Sequence, residues 1–182
     1  LTPDDFFRHF ILNLNVKELF VGHDFSFAKD RSGTLEVLKA LCDKNKVRLA
    51  IVPAVKLDGE TVSSSRIRKS IIEGDVALAT RMLERPYYMA GVVEKGAGWG
   101  RKLGFPTANL FTSGEIFPKN GVYQTWTVLK GQTFKSLTNV GVNPTFTEKN
   151  RRPIQVETFI LDFDQDIYGE TLQVHFVDFL RP

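Results

Sequence analysis

The sequence has very little of several residue types that mark whole classes of protein. Only one of its 182 residues is cysteine, Cys42, so no disulfide can form within the chain. Three scattered histidines do not complete a zinc site with it. No apolar run approaches the roughly 18 residues of a membrane-spanning helix. The start of the chain, residues 1–10, is acidic and amphipathic, unlike a signal peptide. These absences predict a cytoplasmic protein with no membrane partner.

The excess of positive charge is small. Lys and Arg number 24 and Asp and Glu number 21, which leaves a net charge of +3. Hydrophobic residues make up 42% and charged residues 25%, the balance of a globular protein and not of a disordered one. This charge does not indicate a nucleic-acid-binding protein by itself. We therefore predict no nucleic-acid partner, and keep a basic β-barrel that binds single-stranded nucleic acid as the alternative.

Residues 1–85 alternate helix and strand signals, which predicts the C-terminal part of an α/β sheet. Helices are predicted where a capping residue precedes apolar residues at helical spacing, over 3–14, 34–45, 63–73 and 75–84. Strands are predicted over 18–22 and 47–55. The second strand is apolar enough for burial on both faces of a parallel sheet.

Residues 86–182 change to strand signals, and nine of the fourteen glycines lie between Gly91 and Gly141. Strands are predicted over 87–95, 121–130, 133–140, 153–162 and 171–179. Lys130-Gly131-Gln132 is typical of a hairpin turn. Several short strands with turns between them predict a small antiparallel barrel. We place the domain boundary near Arg85-Pro86.

A glycine-rich segment at 96–104 follows a predicted strand directly. Its glycines and cations are Gly96, Gly98, Gly100, Arg101, Lys102 and Gly104. Glycines allow successive backbone N–H groups to form a nest around phosphate oxygens, and the two cations add positive charge. The spacing is neither that of a dinucleotide-binding turn nor that of a P-loop. Phosphate binding and a merely flexible hairpin loop are both consistent with this composition.

Thr107 and Asn109 follow the glycine-rich segment. In a strand, residues two apart point to the same face, so the hydroxyl and the amide project together. Both offer oxygen ligands to a Mg²⁺ ion that bridges phosphates. The alternative is a turn stabilised by short polar side chains.

Glu157 lies on the same predicted strand face as Phe159 and Leu161. A carboxylate on an apolar face is costly unless it is paired or functional. It is a candidate general base toward a hydroxyl group. The alternative is an edge-strand glutamate paired with Arg151, Arg152 or a lysine.

The block Gly100-Arg101-Lys102-Leu103-Gly104-Phe105-Pro106-Thr107-Ala108-Asn109-Leu110 resembles the signature of riboflavin kinases. Further matches follow in the expected order at 121–123, 139–146, 156–157, 161–163, 166–169 and 180–182. The resemblance implies a six-stranded barrel that phosphorylates riboflavin to FMN with ATP. The glycine segment would then hold nucleotide phosphates, Thr107 and Asn109 would hold Mg²⁺ and phosphate, and Glu157 would accept the hydroxyl proton.

The upstream half is similar to the Rossmann-like adenylyltransferase module of bifunctional riboflavin kinase/FMN adenylyltransferases. The matches are 21–27, 62–68, 74–76 and 85–87. The resemblance implies a site for FMN and ATP built from Asp24, Phe25, Phe27, Ser64, Ser65 and Arg68. Serines at a helix start and an arginine one turn along suit anionic oxygens. A plain helix cap with a solvated basic face is the alternative.

Two departures from that family bear on activity. The His-x-Gly-His motif of the adenylyltransferase module is absent. Ala28 stands where the family has glycine after Phe27, and we expect it to restrict that loop. We therefore expect no FMN adenylylation to FAD from this chain and assign that activity to the full-length protein. The chain also stops just after Leu180-Arg181-Pro182, where the family continues into a C-terminal helix, so we expect it to be incomplete at both ends. A flavin-binding remnant without turnover is a further alternative, and the sequence does not indicate an oligomeric state.

Overall fold

The computed structural model describes residues 1–96, 105–114, 116–142 and 154–182. The chain forms two compact units, Leu1–Thr61 and Val62–Pro182, which are described separately below. Within the described ranges, no helix combines the length and the hydropathy needed to cross a membrane.

Unit 1 contains helices and strands in alternation. Helix α1 (Pro3–Phe6) continues as a π-helix over Phe7–Leu12, and the elements that follow are β1 (Glu18–Gly22), a 3₁₀ turn (Lys29–Arg31), α2 (Leu35–Asn45), β2 (Arg48–Val52), β3 (Lys56–Leu57) and β4 (Glu60–Thr61). The predicted helix starts are confirmed. The Thr2 hydroxyl accepts from the Asp5 amide at 3.2 Å, and the Thr34 hydroxyl accepts from the Val37 amide at 3.4 Å.

Strands β1 and β2 pair in parallel from Glu18 opposite Arg48 to Gly22 opposite Val52. This confirms the α/β character of the first part of the chain. The prediction that β2 is buried on both faces is wrong for the described residues, because Ile51 and Val52 are 45% and 49% exposed. The strand is also shorter than the predicted 47–55, and a β3–β4 hairpin with Asp58-Gly59 at its turn follows it.

The core of unit 1 lies among the helices and the segment after β1. Phe7, Leu38 and Cys42 are almost completely buried there. Phe27 joins them, and its ring occupies the space that a Cβ on Gly33 would need.

The backbone of Ala28 has a φ of 64° and a ψ of −178°. This region is accessible to glycine and costs an L-residue of the order of 1–3 kcal/mol. The expectation that Ala28 restricts this loop therefore has a structural basis, namely a strained backbone at the position where the resembled family has glycine.

We expect Ala28→Gly to stabilise unit 1 by about 1 kcal/mol, because relief of the strain exceeds the added entropy of the unfolded chain. The matched control is Ala40→Gly on the exposed side of α2, which removes the same methyl from a helix and should destabilise by about 1 kcal/mol. Calorimetric unfolding of the wild type and both variants tests this. A lower melting temperature for Ala28→Gly would contradict it.

Unit 2 begins with two helices and continues with strands. The elements are α3 (Ser64–Glu73), α4 (Val76–Leu83), β5 (Tyr87–Glu94), β6 (Thr107–Phe111), β7 (Gly121–Leu129), β8 (Gln132–Gly141), β9 (Gln155–Ile160) and β10 (Thr171–Arg181). Ser63 caps α3 through its hydroxyl, Gly74 ends α3 in the left-handed conformation, and Asp75 caps α4.

The six strands of unit 2 close into an antiparallel barrel in the order β10-β5-β6-β9-β8-β7. This confirms the barrel that the resemblance implied. The sequence-based list of strands lacked β6, although Thr107 and Asn109 lie on it. The hairpin turn is confirmed, with Lys130 and Gly131 at φ values of 50° and 80° between β7 and β8.

Helix α4 packs on the barrel. Val76 is completely buried and belongs to the same apolar cluster as Val174 and Phe176 of β10. For this reason, the compact unit starts at Val62, upstream of the strands. The boundary near Arg85-Pro86, predicted between the adenylyltransferase module and the kinase barrel, remains a prediction.

Among the described residues, Tyr123 of β7 is the largest side chain with no exposed surface. Its ring meets Phe176 and Phe179 edge-on, with ring centroids 5.2 Å away in each case. Its hydroxyl donates to the backbone carbonyl of Lys119. Burial raises the pKa of Tyr123 to about 12 from its ordinary value near 10.

Because the folded state holds this proton more tightly than the unfolded chain, its contribution to stability is complete below pH 10 and is lost as the pH rises through 12. We expect the difference in absorbance at ~295 nm between the wild type and Tyr123→Phe to develop around pH 12. A difference that develops near pH 10 would show that the phenol titrates as it does in water.

Candidate functional site

Four polar side chains form a row across the outer surface of the barrel. Glu94 of β5 lies opposite Asn109 of β6, Asn109 lies opposite Glu157 of β9, and Glu157 lies opposite Asn139 of β8. Their chain neighbours on β6 and β9, such as Ala108 and Thr158, are buried inside the barrel. Directly opposite residues have Cβ atoms about 4.5–5.5 Å apart, so Asn109 and Glu157 are neighbours on one face.

Thr107 lies one step further along the same face of β6, opposite Phe159. Thr107 and Asn109 are both half-buried, while Ala108 between them is buried. The structure therefore brings together the residues that the sequence predicted as metal and phosphate ligands and the predicted base, Glu157.

The alternative interpretation of Glu157 as an edge-strand residue is wrong. Strand β9 pairs with β6 on one side and with β8 on the other, so it has no free edge. Arg151 and Arg152, the proposed partners in that alternative, lie outside the described residues.

Gly96 lies directly against Asn109. A Cβ built on Gly96 would be 2.2 Å from Asn109 Nδ2 and 2.8 Å from Asn109 Oδ1, closer than side-chain carbons approach such atoms. The start of the glycine-rich segment therefore passes over the Asn109 amide. The other predicted phosphate-binding residues, Gly98, Gly100, Arg101, Lys102 and Gly104, lie outside the described residues.

A cavity of about 380 Å³, within the size range of small-molecule sites, lies next to Thr107 and Asn109. It reaches the interior side of the strands at Ala108 and Thr158, and Glu157 is not among its lining residues. Gly96, Thr107 and Asn109 line it together with the segment between β9 and β10. That segment contributes apolar surface from Phe163 and Ile167 and polar groups from Asp164, Gln165 and Asp166.

A cation lies near one of the residues that line this cavity. The Lys95 ammonium stands 5.7 Å from the centroid of the Tyr168 ring, and Tyr168 lines the cavity. Within the described ranges, no group of three or more His, Cys, Asp or Glu could hold a metal by itself.

The residues predicted for the adenylyltransferase site are divided between the two units. In unit 1, Asp24 is exposed, and its Oδ1 atom lies 4.0 Å from Nδ1 of His23. Phe25 and Phe27 stack with ring centroids 5.8 Å apart, and Phe27 is only 6% exposed. Phe27 therefore has a packing role in the core.

In unit 2, the Ser63 hydroxyl accepts from the Arg66 amide at 3.3 Å, which confirms a capped helix start. Ser64, Ser65 and Arg68 are exposed on the first turns of α3. The helix cap accounts for Ser63, and the predicted contacts of the other three with ATP stay predictions.

Sequence reasoning gave no role to Glu94, Asn139 or the residues between β9 and β10 that line the cavity. Asn139, Phe163 and Tyr168 all stood within motifs shared with riboflavin kinases. Membership of those motifs could have marked these three residues as candidates for the site. No sequence motif marks Glu94, whose place in the row follows only from the pairing of β5 with β6.

The sequence profile of the riboflavin kinase (flavokinase) family matches residues 83–182, which is more than half of the chain. The chain belongs to the riboflavin kinase family. A second profile, that of FAD synthetase, matches residues 1–66.

Curated relatives of this riboflavin kinase family member are bifunctional riboflavin kinase/FMN adenylyltransferases. The Bacillus subtilis protein is 33% identical over 182 residues, which are 100% of this chain and 57% of the relative. The Pseudomonas fluorescens protein is 35% identical over 174 residues, 96% of this chain and 55% of the relative. The chain thus spans little more than half the length of these relatives.

A solved structure shares the fold over the whole chain. It is described as a macrolide-efflux protein from Streptococcus pneumoniae and is 36% identical, with a TM-score of 0.89. The match covers 100% of this chain and 58% of that one.

The contact between Gly96 and Asn109 can be tested without a ligand. We expect Gly96→Ala to displace the Asn109 side chain, because the added methyl would lie 2.2 Å from Nδ2. The measurement is the ¹H–¹⁵N signal of the Asn109 side-chain amide, identified by its loss in Asn109→Asp.

The matched control is Gly141→Ala, whose Cβ would lie at an ordinary 3.7 Å from Nδ2 of Asn139. Its effect on the Asn139 side-chain signal should be small. Equal shifts of the two asparagine signals in their respective variants would contradict the close packing of Gly96.

Proposed function

We propose that the barrel catalyses the ATP- and Mg²⁺-dependent phosphorylation of the ribityl 5′-hydroxyl of riboflavin, which yields FMN and ADP. The observation that carries this proposal is the placement of Thr107, Asn109 and Glu157 on one face across β6 and β9. Family membership and the names of the relatives support it.

The nucleotide is assigned to the side of the site that contains Gly96, Thr107 and Asn109. These residues line the cavity, whereas Glu157 lies outside it and opposite Asn109 on the neighbouring strand. A nucleotide with its base in the cavity would carry its phosphates past Asn109 toward Glu157. The apolar surface from Phe163 and Ile167 suits a purine ring. The glycine-rich segment after Gly96 would donate backbone N–H groups to phosphate oxygens.

The donor set fits a hard cation. A threonine hydroxyl and an asparagine amide oxygen on one strand face are oxygen ligands of the kind that Mg²⁺ accepts, with phosphate oxygens and water completing its shell. Thr107 and Asn109 would hold it. When bound, Mg²⁺ would neutralise part of the negative charge of the phosphates.

Glu157 is assigned as the base. The riboflavin oxygen forms a bond to the γ-phosphorus, the bond from that phosphorus to the bridging oxygen breaks, and ADP leaves. The hydroxyl proton passes to a carboxylate oxygen of Glu157. Phosphoryl transfer of this type needs positioning and charge stabilisation above all. Asn109 and Glu157 on the barrel surface would position the reacting groups, and the glycine-rich segment at 96–104 would stabilise the phosphate charge.

The whole protein is proposed to adenylylate FMN to FAD as well. The FAD synthetase match over residues 1–66 and the bifunctional relatives support this. Asp24, Phe25, Phe27, Ser64, Ser65 and Arg68 stay the proposed FMN and ATP contacts. The proposed partners are small molecules in the cytoplasm.

The deciding experiment is flavin conversion. The chain, and separately the longer protein that contains it, is incubated with riboflavin, ATP and Mg²⁺, and riboflavin, FMN and FAD are separated by chromatography. FMN from either protein is the expected result. Tight riboflavin binding by both proteins without any FMN would overturn the kinase assignment.

We expect Glu157→Gln to lower kcat by roughly 10²-fold or more, the usual contribution of a positioned base, with nucleotide affinity near that of the wild type. The amide keeps the shape of the carboxylate but cannot take the proton. Initial rates of FMN formation and the Kd for ATP measure the two effects.

The matched control is Glu73→Gln, which removes an exposed carboxylate from α3 and breaks only its 3.9 Å ion pair with Lys69. It should leave kcat within about twofold, since an exposed pair contributes little. An unchanged kcat in Glu157→Gln would remove Glu157 from the mechanism.

A further inference from the structure

Five buried hydroxyl groups form a continuous chain of hydrogen bonds inside the barrel. Thr127 bonds to Ser136 at 2.8 Å, and Ser136 bonds to Thr125 at 2.8 Å. Thr125 bonds to Thr138 at 2.9 Å, and Thr138 bonds to Thr158 at 2.9 Å. All five side chains are at most 2% exposed, so the chain runs through the interior from β7 across β8 to β9.

One end of this hydroxyl chain lies at the candidate site. Thr158 directly follows Glu157 on β9 and is among the residues that line the cavity. Thr138 and Thr158 are opposite one another in the β8–β9 pair, next to the opposite pair Asn139 and Glu157. The other end, Thr127, lies on β7 opposite Val174 of β10 and does not contribute to the cavity lining.

The hydroxyl chain also bears on the register of β9. A slip of one residue would turn Glu157 into the barrel and Thr158 out of it. On β9, the inward residues beside Thr158 are Val156 and Ile160, and apolar contacts of this kind are not directional. The hydrogen bond between Thr138 and Thr158 is directional, so a slip would cost one buried hydrogen bond.

We propose that Thr158 is a positioning residue: the hydroxyl chain that ends at Thr158 holds β9 against β8 and so keeps Glu157 opposite Asn109 on the reactive face. The catalytic consequence rests on the proposed function of Glu157, whereas the structural consequence does not. Thr158 needs no contact with substrate for this role.

The number of hydroxyl protons in this chain determines which variants can test the positioning role of Thr158. Five hydroxyl protons serve four hydrogen bonds, so one proton is left over in the wild type. Thr158→Val and Thr127→Val each remove one terminal hydroxyl and one hydrogen bond at nearly constant volume. Each variant again has one proton more than it has bonds, so neither adds a buried group without a partner.

The first measurement is amide hydrogen exchange of β9 in the intact chain. Thr158→Val should raise exchange in β9 about fivefold, the factor that corresponds to one lost buried hydrogen bond. Thr127→Val should leave β9 unchanged, while both variants lower the melting temperature by similar amounts. Thr158→Ser, which keeps the hydroxyl, should restore protection.

The second measurement is the steady-state kinetics of FMN formation. Thr158→Val should lower kcat about tenfold with both KM values within twofold, since a misplacement of 1 Å costs up to about 10²-fold. Thr127→Val and Thr158→Ser should stay near wild type. A purely structural role would instead reduce the yield of folded protein and leave kcat per folded molecule unchanged.

The outcomes separate the two proposals. Equal effects of Thr158→Val and Thr127→Val on β9 exchange would overturn the positioning role, whether or not FMN is formed. Faster β9 exchange in Thr158→Val with unchanged kcat would also overturn it. Absence of FMN with both this chain and the longer protein would overturn the proposed function, and the exchange comparison would still decide whether the hydroxyl chain holds β9.

Discussion

The pairing of β6 with β9 is the contact on which the candidate site depends. It places Asn109 opposite Glu157 and Thr107 opposite Phe159, although the two strands are far apart in the sequence. Barrel closure enforces this pairing, because β6 also pairs with β5 and β9 also pairs with β8. The geometry of a site spread over two strands is therefore set by the hydrogen-bonded register between those strands.

Local parts of this structure were predictable from sequence, because they depend on short-range chemistry. Thr2, Thr34 and Ser63 begin helices whose first turns they cap, and Gly74 ends one of these helices in the left-handed conformation. Lys130-Gly131 forms a hairpin turn because these two residues adopt positive φ values, which is also a local property. These signals need only the nearest few residues.

Tertiary features were not predictable in the same way. The apolar composition of β2 predicted burial, but burial depends on what covers a strand, and Ile51 and Val52 are exposed. For the site, the spacing of Thr107 and Asn109 showed that they share a face, and family resemblance supplied their roles. The row from Glu94 to Asn139 and the hydroxyl chain inside the barrel follow from strand register, which no local pattern in this sequence specifies.

The closed barrel has a consequence for how the chain behaves at high concentration. Each of its six strands is paired on both sides, so none offers a free edge to another molecule. In unit 1, the β1–β2 pair has open edges within the described residues, and Phe20 and Val52 on these strands are 69% and 49% exposed. Strand addition by another molecule would therefore be directed to the two-stranded sheets of unit 1, β1–β2 and β3–β4, and not to the barrel.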